Sequence, residues 1–403
     1  MNVTLQPSAA NGRIKAISSK SAAHRILICA AFADKETAVR CDTTNKDIEA
    51  TAACLCAMGA NIRYEKPYFY VTPITTPKSG ISLPCNESGS TLRFLLPIVP
   101  ALGIDARFEM AGRLPERPLS PLYEELTAHG ALLSPQGSNP LICQGKLSGD
   151  TFRIKGNVSS QYISGLLFAL TLMGGGELII EGALESAPYV DMTADALSLF
   201  GVSVKRTEMG YAVPKGARLV SPLRTEVEGD WSNAAFPLCM AAVSGSSVTV
   251  TGLAENSLQG DRVYTDYFSE LAKGAPTISL GACPDLGPIL FAVAAARHGA
   301  IFTDTARLKI KESDRGAAMA EELAKMGGRV IVNENEIRVL PAELTAPSEV
   351  LDGHNDHRIV MALSVLLSKL GGRIDGAEAV AKSLPDFFER LEQLGVKLQR
   401  YDT

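Results

Sequence analysis

The feature that most constrains this chain is a sixfold internal repeat. A leucine-to-glycine helix ending followed by a β-like run occurs at Leu55 to Gly59, Leu126 to Gly130, Leu197 to Gly201, Leu323 to Gly327 and Leu391 to Gly395, with a version one residue shorter at Leu271 to Gly274. Successive glycines are separated by 71, 71, 73, 53 and 68 residues. The residues before each have helical periodicity, so each glycine is expected to end a helix and turn the chain into a strand. A second set of segments is apolar all round and is expected to form buried helices: Ser21 to Ala33, Ser90 to Leu102, Ser160 to Met173, Ser232 to Val243, Leu286 to Ala296 and His357 to Leu370. Short strands such as Leu178-Ile179-Ile180 and Val248-Thr249-Val250 lie between the helices. The interval of 53 predicts a trimmed fourth or fifth unit.

Six such units predict an α/β chain of two domains, three units in each, with buried helices inside and sheets outside. The expected hinge is Val227-Glu228-Gly229-Asp230, and the N-terminal strand is expected to return to the second half. That gives one domain over 17–228 and another over 1–16 with 229–403. Apolar residues make up 46% and the formal charge is -5, which suits a globular chain and argues against a large nucleic-acid footprint. The eight cysteines include no C-x2-C pair for a metal or a redox motif, so reduced, packed thiols are expected. Met1 to Leu5 lacks a basic-then-apolar signal region, and no apolar run approaches the ~18–20 residues of a membrane span, so a cytoplasmic protein is expected.

Exposed N–H groups and the dipole at a helix N-terminus favour anions, so the residues opening the buried helices belong together. In the first half they are Ser19-Lys20-Ser21, Ser88-Gly89-Ser90 and Ser159-Ser160-Gln161, suited to phosphate oxygens. In the second half they are Asp230-Trp231-Ser232, Pro284-Asp285-Leu286 and Asn355-Asp356-His357-Arg358, suited to hydroxyls or protons. Ser and Asp are also ordinary N-caps. Capping explains less well the accompanying Lys20, Arg25, Arg93, Arg117, Lys311, Arg315, Arg358 and Lys382. Lys20-Ser21 follows no phosphate-loop glycines, because Ile14 and Ser19 stand at those positions, so a nucleotide kinase is excluded. His357 beside Asp356 is either a catalytic pair or a structural cap. His354 and His357 have no further ligands to complete a metal shell, and no metal is expected.

These segments, together with Glu116-Arg117-Pro118, Ser186 with Tyr189, Lys311-Glu312-Ser313-Asp314-Arg315 and Lys382-Ser383-Leu384-Pro385-Asp386, resemble the enolpyruvyl (carboxyvinyl) transferases, and within them the 5-enolpyruvylshikimate-3-phosphate synthases. The resemblance runs nearly end to end. It implies an inside-out, barrel-like α/β fold of six βαβαββ-like units, three per domain, with the active site in a cleft between the domains. The implied reaction moves the carboxyvinyl group of phosphoenolpyruvate to the 5-hydroxyl of shikimate 3-phosphate, without metal, cofactor or covalent enzyme intermediate, in a monomer. Lys20, Ser21, Arg25, Ser159, Ser160, Gln161, Ser186, Asp285 and Lys311 would hold shikimate 3-phosphate. Lys20, Gly89, Arg117, Gln161, Arg315, Arg358 and Lys382 would hold phosphoenolpyruvate, at the site where the family's inhibitor glyphosate also binds. Asp285 is the candidate base for the 5-hydroxyl, Glu312 and Lys20 the candidates for proton transfer at the phosphoenolpyruvate carbons, and His357 a further catalytic candidate.

Two departures stand out. Glu87 occupies a position where the family often has a neutral residue, so its carboxylate must turn away, pair with a cation or weaken anion binding. Residues 253–284 are also shorter than a usual unit. The sister enzyme acting on UDP-N-acetylglucosamine typically carries a reactive Cys in the loop matching 110–118, where this chain has none. A silent phosphometabolite binder is the other alternative.

Overall fold

The computed structural model describes residues 1–401. It divides into two compact units: Ser18–Glu228, and Met1–Ile17 joined to the chain from Gly229 onward. Each has its own apolar core.

In the Ser18–Glu228 unit the helices are α1 (Lys20–Ala31), α2 (Lys46–Met58), α3 (Gly89–Leu102), α4 (Leu122–Ala128), α5 (Ser160–Leu172) and α6 (Ala187–Leu199). Of these, α1, α3 and α5 are buried along nearly their whole length, whereas α2 and α4 expose one face. Three four-stranded sheets accompany them, each a parallel pair extended by an antiparallel hairpin. The last strand, Arg224–Glu226, returns to pair in parallel with Thr37–Arg40, so the third repeat completes the sheet of the first. Gly59 ends α2 at φ 120, a conformation that costs glycine little, and its N–H closes onto Cys56 O and Leu55 O.

Helix α3 contains Pro97 and Pro100, which a periodicity argument alone would count against a helix. Pro97 has no N–H to give the carbonyl of Arg93 one turn back. Gly165 of α5 lies against that same carbonyl, where an added Cβ would come within 2.4 Å of Arg93 O and 3.1 Å of Pro97 Cγ. The missing side chain therefore lets two buried helices pack backbone to backbone. Gly165→Ala is expected to destabilise the chain by about 1–3 kcal/mol through overpacking, read as a lower urea midpoint at unchanged m-value. An unaltered midpoint would contradict this account of the crossing.

The second unit carries α7 (Trp231–Ser244), α8 (Tyr264–Lys273), α9 (Gly287–Ala295), α10 (Arg315–Ala324), α11 (His357–Leu370) and α12 (Phe387–Gln393). All of α9 is buried, as are His357 to Ser368 of α11. The N-terminal segment completes two sheets here. Asn2–Leu5 lies antiparallel between Gly372–Asp375 and Leu398–Tyr401, and Asn11–Lys15 pairs in parallel with Ser247–Thr251. The trimmed unit is the fourth: after α8 the chain enters Thr277–Ser279, which belongs to the next sheet, and the hairpin is missing. Among the described residues this leaves a two-stranded sheet where the other five have four strands. Gly274 accordingly has φ 174, extended backbone open to any residue, instead of the turn made by the other five repeat glycines.

All eight cysteines are free and seven are buried. Among the described residues no helix is long and apolar enough to cross a membrane.

Candidate active site

The helix openings behave as N-caps at five of six positions. Ser19, Ser88, Ser159, Asp230 and Asp356 each accept a backbone N–H from the first turn of the helix that follows. The exception is Asp285. It lies in a 3-10 turn, Pro284–Leu286, ahead of α9, and makes no capping bond. Its carboxylate is turned onto cations instead.

In the Ser18–Glu228 unit, Lys20 opens α1 and its Nζ donates to Asp47 Oδ2 at 2.8 Å. Asp47 belongs to α2 and was not singled out from sequence, where it is indistinguishable from any acid in a first helical turn. Gly89 opens α3, and a Cβ there would lie 2.8 Å from Nη1 of both Arg117 and Arg93. Two guanidinium groups thus stand at the positive end of a buried helix. Arg93 Nη1 also donates to Gln161 Oε1 at 3.0 Å, Gln161 Nε2 donates to Ser90 Oγ at 2.9 Å, and Tyr162 Oη donates to Pro118 O at 2.6 Å, which ties the Arg117 segment to α5.

Arg25, expected to help hold shikimate 3-phosphate, is mostly engaged within the protein. It is 2% exposed. Nε donates to Thr193 Oγ1, Nη1 to Ser21 O, and Nη2 to Tyr189 O and weakly to Ser164 Oγ, while Phe94 stacks on its face, so most of its donors brace α1 against α5 and α6. Burial lowers its pKa to about 10. Ser186 and Ser160 are buried, and Ser186 holds left-handed φ 54 at the start of α6. Ser21 and Ser159 are half-buried. Beneath the helix openings runs a chain of hydroxyls, His24 Nδ1 to Thr51 Oγ1 to Thr91 Oγ1 to Ser88 Oγ, each step 2.7 Å. Burial, then Lys20 and Arg25, hold His24 well below its ordinary pKa, so it stays neutral.

Glu87 turns onto the 110–113 loop: its Oε2 lies where a Cβ on Gly112 would come within 2.5 Å, and Gly112 has φ 54. The Glu87 carboxylate therefore faces that loop.

In the second unit one guanidinium organises the site. Arg315, first residue of α10 and 1% exposed, donates Nη1 to Asp285 Oδ1 at 2.7 Å, Nη2 to Glu312 Oε2 at 2.8 Å, and Nε to Asp356 Oδ2 at 2.9 Å. Lys311 Nζ is 3.1 Å from Asp285 Oδ1, and Arg358 Nη2 is 3.7 Å from Asp285 Oδ2. Burial pushes the Asp285 carboxyl up, but Lys311, Arg358 and Arg315 together outweigh it and hold it well below the usual carboxylate range. Lys311 is lowered chiefly by burial, with Asp285 opposing. Lys382 Nζ donates to Asn355 O at 2.6 Å.

Asp356 and His357, neighbours in sequence, share no hydrogen bond. His357 Nδ1 is 3.9 Å from Asp356 Oδ1, beyond hydrogen-bond reach, and Asp356 is spent on Arg315, Ser313 and the Arg358 N–H. His354 and His357 likewise do not act together, because His354 Nε2 lies 3.0 Å from Glu322 Oε1.

Structures of two enolpyruvyl-chemistry proteins superpose on this chain. EPSP synthase from Acinetobacter baumannii matches with TM-score 0.77 and 23% identity over 99% of this chain and 100% of that one. The enolpyruvyl transferase NikO from Streptomyces tendae matches with TM-score 0.76 and 15% identity over 99% and 98%. The fold is therefore that of the enolpyruvyl transferases. A profile of EPSP synthase (3-phosphoshikimate 1-carboxyvinyltransferase) matches residues 5–391. Relatives named 3-phosphoshikimate 1-carboxyvinyltransferase include those of Clostridium kluyveri, 35% identical over 99% of this chain and 98% of the relative, and Clostridium acetobutylicum, 36% identical over 98% and 97%. The chain belongs to the EPSP synthase family.

Proposed function

We propose that this chain transfers the carboxyvinyl group of phosphoenolpyruvate to the 5-hydroxyl of shikimate 3-phosphate and releases phosphate, a step toward aromatic amino acids. The observation that carries the reading is the presentation of two carboxylates, Asp285 and Glu312, on the single buried guanidinium of Arg315. An addition followed by an elimination needs one group to take the hydroxyl proton and another to give and retake the C3 proton, and two separately held carboxylates suit that division. C3 of phosphoenolpyruvate gains a proton as the 5-oxygen bonds to C2 and loses its own. The tetrahedral intermediate then gives up a C3 proton and the C2–phosphate bond. Asp285, ionised and flanked by cations, orients and deprotonates the hydroxyl; Glu312 and Lys20 exchange the C3 proton. His357, 2% exposed, opens α11 between Asp356 and Arg358 and is a further candidate for proton transfer there.

Anion binding is divided by chemistry. Lys20, Ser21, Ser159, Ser160, Gln161, Ser186, the one Nη1 hydrogen of Arg25 left over from Ser21, and Lys311 with Asp285 serve shikimate 3-phosphate. Gly89, Arg117, Arg315, Arg358 and Lys382, with Lys20 and Gln161, serve phosphoenolpyruvate; the Arg117 and Arg358 guanidinium groups suit a planar carboxylate, Lys supplies a point charge, and Arg315, its donors spent on three carboxylates, adds positive charge from behind. Asp47 holds the Lys20 ammonium in place. Free thiols fit a cytoplasmic enzyme.

The test is phosphate release and product identification with phosphoenolpyruvate and each acceptor in turn. Release with shikimate 3-phosphate alone supports the reading. Release with UDP-N-acetylglucosamine alone would transfer the protein to the sister activity, which the absence of cysteine from 110–118 argues against. Gly89→Ala is expected to raise KM for phosphoenolpyruvate by about tenfold by displacing two guanidinium ends, since small misplacements of binding groups are costly. Folding should be unaffected, because Gly89 is helical and the crowded atoms end flexible side chains. Steady-state kinetics and a melting curve check both halves.

A further inference from the structure

Glu322 is fully buried, yet it belongs to none of the groups assigned above. It sits two turns after Arg315 on α10 and so shares that residue's face of the helix. Both carboxylate oxygens are occupied. Lys325 Nζ donates to Oε1 at 2.8 Å and Oε2 at 3.0 Å, the Asp352 N–H donates to Oε2 at 2.9 Å, and His354 Nε2 lies 3.0 Å from Oε1. Glu321, Glu322 and His354 bring ligand atoms within 4.8 Å of one another, but the Lys325 ammonium already supplies the positive charge that Glu322 faces, so the cluster is not a metal site.

What Glu322 holds is a turn. His354 and Asn355 have φ 48 and φ 50, two successive non-glycine residues in the left-handed region. Each such residue costs about 1–3 kcal/mol and persists only where its surroundings over-determine it. His354 is fixed at its ring by Glu322 and at its N–H by Asp352 Oδ1, 2.7 Å away. The Asp356 N–H closes the turn onto Gly353 O at 2.9 Å. The next two residues deliver the turn's output: Asn355 O receives Lys382 Nζ, and the Asp356 carboxylate receives Arg315. Arg358 follows in the first turn of α11.

We infer that Glu322 and His354 are positioning residues that set the phosphoenolpyruvate-binding cations Lys382, Arg315 and Arg358 by locking the 353–356 turn. The inference rests on the proposed carboxyvinyl transfer for the identity of the ligand. Neither residue touches the reacting atoms, so their effect belongs in KM for one substrate.

Two substitutions at half-exposed His354 separate positioning from bulk stability. His354→Asn tolerates the left-handed backbone, but its amide is too short for Glu322; His354→Gln places an amide nitrogen where Nε2 was. With wild type measured alongside, His354→Asn is expected to raise KM for phosphoenolpyruvate by about tenfold or more, the scale of one lost charged hydrogen bond, with KM for shikimate 3-phosphate within about twofold. His354→Gln should return it to within about twofold of wild type. An unchanged KM in the Asn variant, an equal rise for both substrates, or a Gln variant no better than Asn would each overturn the inference. Wild-type protein without transferase activity would overturn the functional reading instead. The positioning claim would then be decided by calorimetric Kd values for phosphoenolpyruvate in the same three proteins, with equal values overturning it.

Discussion

Arg315→Ala is expected to destabilise the chain by about 3–5 kcal/mol and to remove turnover, because it leaves a buried carboxylate without its cation. Asp356 is 0% exposed, and Arg315 approaches it through Nε at 2.9 Å and Nη2 at 3.3 Å. In the wild type, burial pushes the Asp356 carboxyl up but Arg315 outweighs it and holds it below its ordinary value. The sign of the pH dependence follows. A depressed carboxyl contributes stability that is present above its unfolded pKa and lost as pH falls through the folded one. Without Arg315 the largest opposing influence is gone, burial and Glu312 push the Asp356 carboxyl up against only His357 and its remaining hydrogen bonds, and that contribution shrinks. The gap between wild type and variant should therefore be widest near neutrality and narrow as pH falls through the carboxylate range. Urea midpoints at several pH values test this, and a gap independent of pH would show that packing, not the ion pair, dominates. Arg315→Lys should recover part of the stability and little of the activity, since an ammonium cannot serve Asp285, Glu312 and Asp356 in three fixed directions.

The second large effect is expected at the two carboxylates. Asp285→Ala and Glu312→Ala should each slow turnover by more than about tenfold, general acid–base contributions being typically ~10²–10⁴. The partition between constants is informative. Asp285 neutralises part of the charge of Lys311, Arg315 and Arg358, so removing it leaves a more positive cluster, and KM for anionic phosphoenolpyruvate should not rise while kcat falls. Asp285→Asn keeps the shape and loses the charge, and should match the Ala variant in kcat. Near-normal kcat in both Ala variants would sink the roles given to these residues, and a rise in KM alone would leave Asp285 a binding group and not a base.

The sequence made the repeat legible because its signals are local. Helix periodicity, Ser and Asp caps and the terminal glycines act over three or four residues, so the buried helices fall within a residue or two of the expected bounds, with His357–Leu370 reproduced as predicted. The 53-residue interval showed that a unit was trimmed. Which unit lost what was decided by pairing: the strand after α8 joins the next sheet, a choice made by partners distant in the chain.

The site divides along the same line. Candidate side chains could be listed from their types and order, but the partner each one meets could not. Lys20 meets Asp47 across 27 residues, Arg315 meets Asp285 across 30 and Asp356 across 41, and Arg25 meets Thr193 across 168. Nothing in a linear pattern distinguishes Asp285, turned onto cations, from Asp230, spent on a cap, although both stand at helix openings. Sequence alone therefore determined the six-unit architecture and most of the candidate cations, while Asp47 and Glu322 emerged only from their partners in the fold. The tertiary structure decided which carboxylate faces which cation, because burial makes an unpaired charge too costly and only the folded chain brings the pairs within 3 Å.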